Sequence, residues 1–195
     1  MTIGDERFPR VLARAQAGDH GAIEELYRDL APLVLGYLRA NGAIDAEDLT
    51  SEVFVAVVRN VASFDGQERA FRSWVLTIAH RRLVDGLRRR GRRPEDPVEP
   101  DDTALVTLAD DSTTEELAVA GLGAAAVAAM LAELTDDQRA VVTLRIIDDL
   151  PIKEVAEVLG KPVTAVKSLQ HRALATLARH LAATGSIPDT TWSDH

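Results

Sequence analysis

The chain has no cysteine. Disulfides, a thiolate zinc site and a thiol redox sensor are therefore excluded within it. Aromatic residues make up only 4% of the sequence, so any core must be built mainly from aliphatic side chains. No apolar run reaches the length a membrane-spanning helix needs, and no secretory leader pattern is visible. The expectation is a cytoplasmic protein with no membrane partner. Neither a glycine-rich phosphate loop nor a nucleophile motif occurs. The five histidines, His20, His80, His171, His180 and His195, are scattered and lack metal-ligand spacing. His80 and Asp85 sit five apart and would not share a helix face well. These absences predict no metal, no cofactor, no small-molecule substrate and no catalytic residues, and they argue against an enzyme.

What remains is rich in helix formers, Ala, Leu, Arg and Glu, with no clean alternating strand pattern, which predicts an all-α protein. A length of 195 residues leaves room for one large domain or two small ones. The net charge of −9 is unevenly spread. Residues 1–93 carry +2, residues 94–117 carry −9 without a single Lys or Arg, and residues 118–195 carry −2. The acidic segment opens Pro94-Glu95-Asp96-Pro97-Val98-Glu99-Pro100-Asp101-Asp102. Repeated proline and like charge favour an extended chain. The sequence thus divides into two small helical domains, 8–93 and 116–182, joined by an acidic flexible linker at 94–115 and followed by a tail at 183–195 expected to be disordered. A Gly-Ala stretch from Ala120 to Ala129 opens the second domain as a helix that Gly121 and Gly123 weaken.

The second domain carries the most informative pattern. Thr135-Asp136-Asp137-Gln138 has the form of a capping box, a hydroxyl N-cap with Gln at N3. The helix it opens includes Val141, Val142, Leu144, Arg145, Ile146 and Ile147, and Asp148-Asp149-Leu150-Pro151 stops it. Ile152, Val155, Ala156 and Leu159 then fall on one helical face, and Gly160 suits a left-handed cap. Lys161-Pro162 completes a tight turn, and a last helix begins near Val163. On that helix Val166, Ala173, Leu177 and Leu181 lie on one side, while Thr164, Lys167, Ser168, His171 and Arg172 lie on the other. A brace helix, a short turn and a second helix with a polar, basic face have the geometry of a helix-turn-helix that enters a major groove. Because an acidic chain binds DNA poorly on its own, such a protein is expected to meet DNA with a larger partner.

In the first domain, Asp19-His20-Gly21-Ala22-Ile23-Glu24 starts a helix that continues through Leu26, Tyr27 and Leu30. A second helix is expected from about Pro32 to Asn41-Gly42. Asp45-Ala46-Glu47-Asp48-Leu49 starts a third, with acidic residues at its N-terminus, running to Phe64 before Asp65-Gly66 breaks it. A fourth begins near Ala70. Its end concentrates Arg81, Arg82, Arg88, Arg89, Arg90, Arg92 and Arg93 within thirteen residues, with only Asp85 opposing. The helix dipole favours some cations there, but seven arginines exceed a capping role and point to a surface that tracks phosphates.

These segments, in this order, resemble the sigma-70 family of bacterial RNA polymerase sigma factors, specifically its extracytoplasmic-function (ECF) group. DAEDLTSEVFVAVVRNVASF, residues 45–64, resembles the part of region 2 that grips the β′ clamp helices of the core polymerase. FRSWVLTIAHRRLVDGLRRRGRR, residues 71–93, resembles the part that melts and reads the −10 promoter element. Residues 134–181 resemble region 4, which reads duplex −35 DNA and docks on the β flap. The resemblance covers about 26–93 and 116–181. It implies promoter-specific transcription initiation by a protein that is not itself a catalyst. It implies polymerase contacts at Asp48, Glu52, Phe54 and Arg59, and −35 contacts at Thr164, Lys167, Ser168, His171 and Arg172. For −10 recognition it implies Phe64, Asp65, Arg69, Phe71, Arg72, Arg81, Arg82, Arg88, Arg89 and Arg90. The loop from Phe64 to Arg69 resembles the family's pocket for an unstacked base, as single strands require a basic groove and stacking surfaces. Trp74 beside it also suits core packing. The acidic linker would follow the RNA exit path, and an anti-sigma factor that separates the two domains is a further implied partner.

The sequence departs from the family pattern at three places. Arg81 stands where Asn is frequent, Leu169-Gln170 stands where Arg-Leu is frequent, and Ser51 replaces a usual Gln. The family's base preferences therefore do not transfer to this chain. Two other readings compete: a receiver-type transcriptional regulator, which ends in a similar helix-turn-helix, and an adaptor that binds polymerase without reading DNA. A receiver needs alternating strands and helices in the first domain, which are not visible. An adaptor has no use for the arginine cluster or the polar helix face.

Overall fold

The computed structural model describes residues 3–91, 126–146 and 149–183. The expected linker at 94–115 and tail at 183–195 thus lie outside the described residues, apart from Ala183. The described elements are α1 (Phe8–Gln16), α2 (His20–Ala40), α3 (Ala46–Asn60) with a tight 3₁₀ turn Val61–Ser63, α4 (Glu68–Gly91), a helical stretch at 126–132 labelled α5, α6 (Asp136–Ile146), α7 (Ile152–Leu159) and α8 (Val163–Ala183). Among the described residues there is no strand.

The helix starts and stops follow from local chemistry. Asp19 caps α2 by accepting a hydrogen bond from the Ala22 amide at 3.1 Å. The capping box of α6 is reciprocal: the Thr135 amide donates to Gln138 Oε1 at 3.1 Å, and the Gln138 amide donates to Thr135 Oγ1 at 3.4 Å. Gly160 ends α7 at φ +61, with the Lys161 amide donating to the Ala156 carbonyl at 3.0 Å and its own amide donating to Glu157 at 3.2 Å.

Two expectations need correction. Pro32 does not divide residues 20–40 into two helices, since α2 runs through it. Pro32 faces solvent, where water can serve the carbonyl it leaves without a helical partner, while Leu30, Val34, Tyr37 and Leu38 stay buried on the opposite side. The third helix stops at Asn60 and tightens into the 3₁₀ turn before Phe64. α1 was not foreseen as a helix, although Phe8, Val11, Leu12 and Ala15 bury one face at helical spacing and a proline sits in its first turn.

The helices of the first unit enclose Phe8, Leu26, Leu30, Tyr37, Val53, Phe71, Val75 and Leu76. α7 and α6 pack on α4 and on the end of α2, so that Leu144, Leu150, Val155, Leu159 and Val166 join the same apolar core. The two helical units are thus in direct contact. Between them lies a cleft of about 720 Å³, lined on one side by His80, Val84, Leu87 and Arg88 and on the other by Asp137, Ala140, Leu159 and Lys161.

Candidate nucleic-acid interface

The helix-turn-helix face is assembled as its spacing predicts. Val166 and Ala173 of α8 are fully buried, which fixes the rotation of that helix against α6 and α7. The opposite face then presents Thr164, Lys167, Ser168, His171 and Arg172, every one of them exposed. Ser168 Oγ donates to the Thr164 carbonyl at 3.1 Å, and Arg172 Nε donates to the Ser168 carbonyl at 3.3 Å. Leu169 packs towards the core and Gln170 is half-buried, so neither belongs to this face.

In the first unit, the loop between the 3₁₀ turn and α4 rests on an aromatic platform. Phe64 packs edge-on 5.0 Å from Phe71 and tilted 5.2 Å from Trp74, and Phe8 lies 5.4 Å from Phe71. Gln16, which sequence reasoning missed, holds the loop from α1: its Nε2 donates to the Phe64 carbonyl at 2.7 Å and to the Val61 carbonyl at 3.2 Å. Gly66, at φ +157, passes so close to this platform that a Cβ would meet Phe64 Cζ at 3.0 Å. Asp65 is exposed on the loop, Arg69 is exposed in the first turn of α4, and Phe64 is half-buried.

Phe71 corrects the sequence reading. It is 1% exposed and belongs to the platform beneath the loop, so its ring is not available for the contact expected of it. Trp74 is half-buried in the same packing. Arg72 is half-buried too; burial raises the carboxyl pKa values of nearby Asp29 and Glu68, and the Arg72 charge only partly opposes this. Further along α4, Arg81, Arg82, Arg88 and Arg89 are exposed. Arg82, Asp85, Arg88 and Arg89 frame a shallow pocket of about 340 Å³. Arg90 lies in α4, but its side chain is outside the described residues.

A third surface occupies the outer face of α2 and α3. Asp48, Glu52 and Arg59 are exposed there, with Glu52 placed 3.7 Å from Arg82. Phe54 is 7% exposed and packs edge-on against Tyr27 at 4.7 Å. Together with Val55 and Val58, both exposed, these rings line an apolar groove of about 520 Å³. Val55, Val58 and Tyr27 were missed in the sequence. Their signal is three outward apolar side chains on helices whose inward faces are already filled.

Residues 24–93 match the model of Sigma-70 region 2, and residues 124–177 match that of Sigma-70, region 4. The chain belongs to the sigma-70 family. Its relatives place it in the ECF group. It is 36% identical over 179 residues to the ECF RNA polymerase sigma factor BldN of Streptomyces coelicolor, covering 90% of this chain and 66% of that protein. It is 32% identical to the ECF RNA polymerase sigma factor ShbA of Streptomyces griseus, covering 84% and 90%. It is 29% identical to SigD of Mycobacterium tuberculosis, covering 95% and 89%. Among solved structures it is similar to CnrH in complex with the cytosolic domain of CnrY, with a TM-score of 0.64, 27% identity, and coverage of 89% of this chain and 96% of that one. This ECF sigma factor therefore has region 2 where a receiver-type regulator would carry its sensing domain, and that alternative is set aside. Promoter-directed transcription initiation is the function its two regions share with these relatives. Among the described residues no helix is long and apolar enough to cross a membrane, and no cluster of side chains suits a metal ion.

Proposed function

We propose that this sigma factor divides promoter recognition between its two DNA-facing surfaces. The face Thr164, Lys167, Ser168, His171 and Arg172 enters the major groove of the −35 element, with specificity from base edges and phosphate contacts for register. The loop at Phe64, Asp65 and Arg69 takes the unpaired non-template strand of the −10 element, and Arg81, Arg82, Arg88 and Arg89 of α4 track its phosphates. The groove lined by Phe54 and Arg59, with Asp48 and Glu52 exposed on the same helix, seats the β′ clamp helices, and the second unit meets the β flap. The protein is a cytoplasmic specificity subunit and not a catalyst. The observation that carries this reading is the exposure of all five reading-face residues over a buried Val166 and Ala173.

The likeness to CnrH in complex with the cytosolic domain of CnrY supports a sequestering anti-sigma partner for this chain as well. The test is transcription in vitro with bacterial core polymerase and fragmented genomic DNA, with sequencing of transcript starts. Starts that share a −35/−10 pair are expected. Lys167→Ala and Arg172→Ala should each weaken promoter use by about 1–3 kcal/mol if the lost contact is to a base edge. Loss of a phosphate contact would instead reduce the salt slope by about one. Polymerase binding without defined starts would sink the promoter-reading role and leave an adaptor.

A further inference from the structure

The face of α4 turned towards the second unit holds a contact between residues 81 positions apart in sequence. Glu154, in the first turn of α7, places its two carboxylate oxygens on two different partners. Oε1 lies 3.2 Å from Arg69 Nε, and Oε2 accepts a hydrogen bond from Ser73 Oγ at 2.6 Å. Arg69 donates a further bond to the Asp149 carbonyl at 3.3 Å, in the turn that leads into α7. Asp149 holds φ +47 there, a left-handed conformation that aims its carbonyl in the turn. Arg69 and Ser73 are one helical turn apart, so they face the same way. With Glu154 in place, Ser73 is 8% exposed and the Glu154 side chain 24%.

A guanidinium and a hydroxyl one turn apart at a helix N-terminus form a donor set suited to a phosphodiester, and a carboxylate presents the same acceptor geometry. We propose that Arg69 and Ser73 form a phosphate subsite for the single-stranded −10 DNA, and that Glu154 occupies it as an internal mimic in the free chain. The proposal rests on the reading of the Phe64–Arg69 loop as the −10 surface. Its consequence is an asymmetry. The −35 face on α8 is exposed in this closed arrangement, whereas the −10 subsite already has Glu154 as its partner, with Ser73 buried beneath it and the Arg69 side chain still 59% exposed. The free chain is competent for duplex before it is competent for single strand. A single strand must displace Glu154, so its apparent affinity is lowered by the fraction of chains that are closed.

The test uses the full chain, whose lack of cysteine permits spin labels at Ala13→Cys on α1 and Ala178→Cys on α8, both exposed positions. Pulsed electron resonance measures their separation in the parent, in Glu154→Ala and in the milder Glu154→Gln, with circular dichroism confirming that each is folded. In parallel, fluorescence anisotropy measures binding of a short A/T-rich single strand and of a duplex. The expected result is a longer or broader separation in Glu154→Ala, a gain of roughly tenfold in single-strand affinity, and unchanged duplex affinity. Adding Ser73→Ala should then remove about fivefold of that gain. An unchanged separation with unchanged single-strand affinity in both Glu154 variants overturns the proposal. So does a longer separation without a gain in single-strand affinity. Arg81→Ala separates the two levels. If it weakens single-strand binding while Glu154→Ala has no effect, the −10 reading stands and the internal mimic falls. If binding ignores Arg81 as well, the −10 reading falls with it.

Discussion

Glu68 shows how much a single side chain can hold against the fold. It is 7% exposed, its Oε1 has no hydrogen-bond partner, and burial together with Asp29 and Asp5 pushes its carboxyl above the ordinary value of 4.5. The sign follows from linkage. Below 4.5 the group is protonated in both folded and unfolded chains, and no penalty exists. As the pH rises from 4.5 through the raised folded value, the unfolded chain ionises first and the folded state loses stability relative to it. Glu68→Gln keeps an acceptor for the Gly4 amide and removes the charge. At pH 7 it should raise the melting temperature by roughly 2–4 °C, and the gain should vanish near pH 4. A variant no more stable than the parent at pH 7 would contradict this account. The sequence places Glu68 only in the loop from Phe64 to Arg69; its neighbours Asp5 and Asp29 come from other segments, which is why its burial was not legible. Phe71 illustrates the same limit. Its apolar character was plain, but only the platform of Phe8, Phe64 and Trp74 shows that it lies beneath the loop.

At the scale of elements, local chemistry was readable wherever it acted alone. Thr135 and Gln138 bond to each other, and Gly160 needs only its own φ, so both signals passed directly from sequence to structure. Thr135→Ala should cost about 0.5–2 kcal/mol, and Gly160→Ala about 1 kcal/mol, in urea unfolding. Equal midpoints for the parent and both variants would show that the helix-turn-helix does not depend on its caps. Pro32 failed as a signal because tertiary packing overrode it: the buried face of α2 continues from Leu30 to Val34 across the proline. Pro32→Ala restores an amide donor on the solvent side and should add about 1–3 kcal/mol of stability. A loss of stability would mean that the proline itself is needed to seat Tyr37 and Leu38.

At the scale of the molecule, the contact between the two units carries its own pH dependence. His80 lines the cleft, its Nδ1 2.9 Å from Tyr37 Oη, and burial holds its imidazole below the ordinary 6.5; Asp137 raises it and Lys161 lowers it to smaller extents. The unfolded chain takes up a proton at 6.5, the folded chain only at lower pH. This contribution is therefore intact above 6.5 and is lost as the pH falls from there through the folded value. The parent should lose more thermal stability between pH 7.5 and 6 than His80→Gln does, and identical slopes would remove His80 from this role. No sequence pattern announced the packing of α7 on α4, because Ser73 and Glu154 are ordinary residues until the fold brings them together. α4 itself has a consequence at this scale. Its 24 residues span about 36 Å, close to one turn of duplex DNA. On the proposed reading the helix is a caliper, with the loop after Phe64 at one jaw and the arginine cluster at the other. Deleting one residue from its middle would swing one jaw by about 100° relative to the other, and, on that reading, the point at which the strands part would lose its fixed distance from the base pairs that stay closed.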